Sequence, residues 1–171
     1  MATESPDPGP AFLARLVAAR GRLAAHAASG AHAGLTGADP ATGERWDAGQ
    51  VWAHLAEFPA YWVGQFEAIL AARADGATEP IPFGRPRTDP GRVGPIERDR
   101  HEAPALLHER VQADIDAFEA FLGRLRPVDW SVTGLHPTLG ELALPAMVER
   151  FVVGHLEEHA DQLDELKAPT A

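Results

Sequence analysis

The sequence predicts an all-α fold: a four-helix bundle with one long connection between helices two and three. Three observations point there. Four stretches of roughly 20 residues each carry a single apolar stripe at helical period. No segment sustains the strict alternation of a half-buried strand. Residues 74–100 hold Pro80, Pro82, Pro86, Pro90 and Pro95, and form a connection far longer than a tight turn.

Helix one is expected from about Pro10 to Ala28, with Phe12, Leu13, Leu16, Val17 and Leu23 as its stripe. A glycine-punctuated loop follows from Gly30 to Arg45. Helix two opens at Trp46-Asp-Ala-Gly-Gln50, where Asp47 can cap the first-turn amides and Gln50 fits the reciprocal capping pattern. Its stripe runs Val51, Leu55, Phe58, Trp62, Phe66 and Ile69, with His54 on the same face. Pro59 removes the bond to the Leu55 carbonyl and should kink this helix. The connection 74–100 carries Arg85, Arg87, Arg92, Arg98 and Arg100, the most basic stretch of the chain. It reads either as a solvated crossover or as an anion-facing loop near a pocket. Helix three, about Glu102 to Arg126, places Leu107, Val111, Ile115, Phe118, Leu122 and Leu125 on one face, with Pro104 in its first turn. A turn-rich connector from Pro127 to Gly140 leads to helix four, about Pro145 to Lys167.

The 171 residues suit one domain. Residues 1–8 read as a disordered lead-in, 9–167 as the folded bundle and 168–171 as a tail. No run approaches the roughly 18 apolar residues of a membrane span. The first residues lack the basic-then-apolar layout of a secretory signal. A cytoplasmic protein with no membrane partner is the expectation. The chain has no cysteine, which excludes disulfides, thiolate metal sites and cysteine nucleophiles. Any thiol chemistry needs a thiol from outside. The net charge of −10 argues against nucleic acid as a partner, because that affinity rests on Lys and Arg neutralising phosphates. A small-molecule substrate is expected instead, and a homodimer is allowed.

The stripe of helix four runs Val148, Phe151, Val152, His155, His159, Leu163, Leu166. Two histidines stand where leucines belong. Four residues apart on a helix, their Cβ atoms sit about 5–6 Å from one another, and two such imidazoles can converge on one metal ion. His54 supplies a third ligand from a helix able to face them, and bundle cores commonly build metal sites this way. Each ring also has a bland reading: a lone histidine on an apolar face is ordinarily a hydrogen-bonded core residue. His26, His32, His101, His108 and His136 fit a shared site less well, and His136, before Pro137 in a turn, reads as structural. Tyr61 and Gln65 on the His54 face, and Gln162 on the His155 face, are expected to line a pocket above the metal. His155-Leu-Glu-Glu158-His159 also spells HxxEH, in which the glutamate activates a zinc-bound water. That protease pattern needs a downstream acidic ligand, so it is set aside. Glu158, the candidate catalytic carboxylate, and Glu57 read either as base or supporting groups beside the ion or as ordinary surface carboxylates.

Trp46-Asp-Ala-Gly-Gln-Val-Trp-Ala-His54-Leu-Ala-Glu resembles the second-helix motif of the DinB/YfiT-like metalloenzymes. His136-Pro-Thr-Leu-Gly-Glu-Leu-Ala-Leu, followed by His155-x-x-x-His159-x-x-Gln-Leu, resembles their connector and fourth helix. The resemblance runs from the first helix to Leu166. It implies a DinB-like bundle holding a divalent ion, zinc or nickel, through His54, His155 and His159. It also implies activities such as S-transfer with a low-molecular-weight thiol of the mycothiol or bacillithiol type. The isomerase branch places a glutamate where this chain has His155, which separates the chain from that reaction. Ala143 stands where many relatives have a threonine.

The expected function is therefore a metal-dependent transferase using a low-molecular-weight thiol. Arg85, Arg87, Arg92 and Tyr61 are the candidates to hold the cofactor. The alternatives are a hydrolase working at the same ion, or a non-catalytic bundle that binds metal or a small ligand.

Overall fold

The computed structural model describes residues 7–30 and 32–167. The expected lead-in therefore falls mostly, and the tail 168–171 wholly, outside the described residues. Helix α1 (Gly9–Ser29) begins with Pro10 in its first turn, and Gly30 closes it with a φ of 85°. Leu16, Ala19 and Leu23 on one face are fully buried.

The expected second helix is two helices. α2 (Ala48–Leu55) opens on a complete capping box: Asp47 accepts from the Gln50 amide, and the Gln50 side chain accepts from the Asp47 amide. The chain then breaks at Ala56 and Glu57, and α3 (Phe58–Ala74) starts with Pro59 in its first turn. A proline there costs no hydrogen bond, because first-turn amides lack intrahelical partners anyway. The Glu57 side chain does not cap α3.

The long connection has structure of its own. A two-residue strand β1 (Ile81–Pro82) is followed by α4 (Pro90–Asp99), which packs on α2. Helix α5 (Pro104–Arg124) is the expected third helix and packs on α1, α3 and α2. A 3-10 turn (Pro127–Ser131) leads to β2 (Thr133–His136) and β3 (Gly140–Ala143). β2 pairs in parallel with β1 and antiparallel with β3. This small sheet was not expected, because strands of two and four residues are too short to show alternation.

The last helix is one course with a π-turn inside it: α6 (Leu144–Val148), the π-turn Glu149–Val153, and α7 (Gly154–Lys167). The architecture is a helix bundle whose core centres on Trp52, Phe58, Phe66, Phe118 and Phe121, all nearly inaccessible. α7 lies against α1 and α2, and this packing brings the end of α2 to the start of α7. Among the described residues no helix is long and apolar enough to cross a membrane.

Candidate metal centre

His54 sits in the last turn of α2, and His155 and His159 in the first turns of α7. Their Nε2 atoms meet. His155 Nε2 lies 3.1 Å from that of His54 and 3.1 Å from that of His159. The other ring nitrogen of each points away, to an acceptor three residues on. His54 Nδ1 donates to Glu57 at 3.0 Å, His155 Nδ1 to Glu158 at 3.2 Å, and His159 Nδ1 to the Gln162 carbonyl oxygen at 2.8 Å. Carboxylate and amide oxygens only accept, so each Nδ1 carries the hydrogen and each Nε2 presents a lone pair.

Three lone pairs thus face one another with no hydrogen between them, an arrangement that a cation would stabilise. A proton suits it poorly. Burial, reinforced by the neighbouring rings, holds His54 well below the ordinary histidine range, and burial pushes His159 down to about 3. A divalent ion suits it: nitrogens about 2.1 Å from one ion lie about 3.0 Å apart at octahedral angles and about 3.4 Å at tetrahedral ones. Imidazole donors match zinc and nickel. The three-histidine group can therefore hold a metal ion.

Away from the cleft, neighbouring rings and carboxylates hold the three imidazoles in place. Trp46 stacks nearly parallel to His159, at an interplanar angle of 2°, and meets His54 edge-on with centroids 5.3 Å apart. Phe58 packs on His155 and His54 at 4.7 and 5.1 Å. Behind His54, the Arg85 guanidinium pairs with the second oxygen of Glu57. Burial raises the Glu57 carboxyl, and Arg85 works against that rise. Replacing such an orienting carboxylate typically costs 10–100-fold in metal affinity. Glu57→Ala is expected to weaken zinc binding by about that factor, read by competition with a chromogenic chelator.

The π-turn aims His155. Its wide bond runs from the Gly154 amide to the Glu149 carbonyl. A side chain at Gly154 would put Cβ 2.8 Å from that oxygen, so only glycine allows the turn to close. Arg15 of α1 straddles the turn, bonding Glu149 on one side and Glu157 on the other. Gly154→Ala is expected to lower stability by about 1–3 kcal/mol, visible in thermal unfolding, and to weaken metal binding with it.

The three histidines open on a cleft of about 810 Å³. Arg85, Arg87, Arg92, Glu158 and Gln162 are on its walls. Tyr61 and Gln65 are not. Tyr61 lies under the Arg85 guanidinium, 3.9 Å from ring centre, and Gln65 accepts the Gly84 amide at 2.9 Å. Both face the loop that follows β1, which covers that side of α3. Glu158 bonds His155, and that bond holds its carboxyl below the ordinary range.

Three wall residues were not anticipated. His136, expected as a structural turn residue, ends β2 and is buried on the cleft wall, stacked with Phe151. Trp46 joins the metal centre from the capping segment. Arg150, which regular helical spacing puts on the outer face, lines the cleft because the π-turn takes an extra residue and rotates it inward. No sequence periodicity signals such a turn.

The chain matches no family profile and no curated protein. Its fold is similar to that of a solved structure, the colibactin self-resistance protein ClbS in complex with a dsDNA. The TM-score is 0.63 at 15 % identity, and the match covers 97 % of this chain and 99 % of that one. At this identity the likeness is one of fold. It still overturns the expectation that nucleic acid is excluded as a partner, because a protein of this fold is seen on a duplex. The expectation rested on net charge, which sums over the whole surface, whereas phosphate affinity depends on local cations. Here Arg85, Arg87, Arg92 and Arg150 gather on one cleft despite a net charge of −10.

Proposed function

We propose that this chain is a DinB-like metal-dependent enzyme, with His54, His155 and His159 as ligands and a low-molecular-weight thiol as co-substrate for group transfer. One observation carries the reading: three imidazoles converge through Nε2 while each Nδ1 is tied to its own acceptor. Core histidines kept for packing have no reason to aim three lone pairs at one point. The cleft leaves one side of the group open to ligands, as a catalytic site requires and a closed structural site does not.

A zinc or nickel ion held there would lower the pKa of a thiol or water that reaches it. The protein's own residues then position and exclude. Trp46 and Phe58 keep water from the buried side of the rings, and Glu57, Glu158 and Gln162 fix their tautomers. Glu158 stands on the cleft wall as the carboxylate nearest in sequence to take up a proton, and its depressed pKa suits orienting His155 more than acting as a base. The absence of cysteine is consistent with a thiol supplied from outside.

Zinc- and nickel-loaded protein assayed on an electrophilic aryl halide, with and without added mycothiol or bacillithiol, tests the reading. Turnover only with thiol is the expected result. Ester hydrolysis without thiol would move the assignment to a hydrolase at the same ion, and a loaded protein silent on both panels would leave a metal-binding bundle.

A second reading comes from the arginines on the cleft and the duplex bound to the fold neighbour ClbS. Binding of duplex DNA that weakens with salt and falls in Arg87→Gln/Arg150→Gln would support a DNA-contacting role. Binding unaffected by those changes would remove it.

A further inference from the structure

The arginines of the cleft are not equivalent. Arg85 is committed to Glu57 and stacked on Tyr61. Arg87 is committed to Asp39, both of its terminal nitrogens lying 3.1 Å from one carboxylate oxygen. Arg92 differs. Among the described residues it bonds the Arg87 backbone carbonyl at 3.0 Å and lies over the Trp46 ring, 5.4 Å below the guanidinium. Neither neutralises it. It is half-buried at the first turn of α4, and burial lowers its pKa, while Glu57 and Glu44 pull the other way from beyond ion-pair distance. Its positive field reaches His54 and His159. A partly desolvated cation with no carboxylate at ion-pair distance costs free energy that an incoming anion recovers.

A second wall carries a cation of its own, this one exposed to solvent. Arg150 lines the cleft with no carboxylate partner among the described residues, and its charge acts on His136. His136 Nδ1 accepts from the Thr138 amide at 3.3 Å, so its hydrogen is on Nε2, the opposite tautomer to the three converging rings. That donor meets no acceptor among the described residues. Gly84, at a φ of 89°, passes so close that a Cβ there would sit 2.6 Å from the His136 ring, which holds the ring in place. Between these polar walls lie Trp46, Phe58, Trp62 and Phe151.

We infer that the cleft receives a small organic anion with an apolar body, its carboxylate or phosphate held by Arg92 beside the three-histidine group. Arg150 and His136 form a second polar anchor. This deepens the enzyme reading above by naming the chemical class of its ligand, and it rests on that reading for its link to catalysis.

The test titrates benzoate, phenyl phosphate and neutral benzamide into metal-free and zinc-loaded protein, followed by tryptophan fluorescence. The anions are expected to bind at least about tenfold more tightly than benzamide even in metal-free protein, in line with a charge-assisted contact. The tighter of the two identifies carboxylate or phosphate as the natural group. Arg92→Gln should remove that preference, Arg92→Lys should retain part of it, and Arg150→Gln should weaken binding less. Arg124→Gln, on the exposed α5 surface beside Glu67, should leave it unchanged. Anion binding that needs zinc and ignores Arg92→Gln would overturn the inference, since the ion itself would then be the receptor. Equal binding of benzoate and benzamide would overturn it too. Zinc content measured on the same samples separates the two readings. Arg92-dependent anion binding by a protein that takes up no zinc would sink the metal-enzyme proposal and leave this one standing.

Discussion

His155→Ala is expected to leave a folded chain that no longer holds zinc. Among the three rings His155 is the partly exposed one, on the cleft wall, while His54 and His159 are buried. Truncating it removes a ligand without opening a core cavity, so the fold should survive with a small shift in melting temperature. The loss in affinity should be large. Three-ligand binding on the order of 10–16 kcal/mol, shared evenly, loses at least about 3 kcal/mol with one ligand, or more than a hundredfold. Metal analysis of untagged protein, with circular dichroism as the control, reads both effects. Unchanged zinc content in a folded His155→Ala chain would remove the three-histidine assignment.

The second large effect is on acid stability. His159 has a folded pKa pushed down to about 3 by burial, against 6.5 for a free imidazole. Below 6.5 the unfolded chain binds a proton that the folded chain refuses, so stability falls with decreasing pH down to about 3. The slope is about 1.4 kcal/mol per pH unit for one ring. His54 shifts in the same direction and for the same cause. Asp114 opposes them: burial raises it to about 6, so its protonation favours the folded chain as pH falls below that value. The clean measurement is therefore a difference. Between pH 7 and 4.5, metal-free wild type should lose about 2–3 kcal/mol more than His159→Gln in urea unfolding. Parallel pH profiles for the two proteins would show that His159 is not held neutral by burial.

The bundle was readable because each long helix keeps one apolar stripe and announces its start. The Asp47–Gln50 capping box and the first-turn proline of α5 are local signals, and local energetics decide them. His54, His155 and His159 were visible for the opposite reason, as polar residues breaking a stripe that has to bury. The small sheet was hidden, since β1 pairs with β2 across more than 50 residues of chain through two residues only. The same holds for Tyr61 and Gln65. Their helical phase is right for the cleft, but the segment after β1 folds over them, and phase says nothing about what covers a face.

What the sequence alone determined is therefore the helical fold class and which histidines stand out of pattern, both set by residue type and spacing. The tertiary structure alone decided the rest. It turned Pro59 from a kink into a helix start and rotated Arg150 inward through a π-turn that needs Gly154. It also gave Arg85 and Arg87 carboxylate partners while leaving Arg92, among the described residues, with no carboxylate at ion-pair distance. These outcomes depend on contacts between segments far apart in the chain, and the energy of such contacts is written in no single stretch of it.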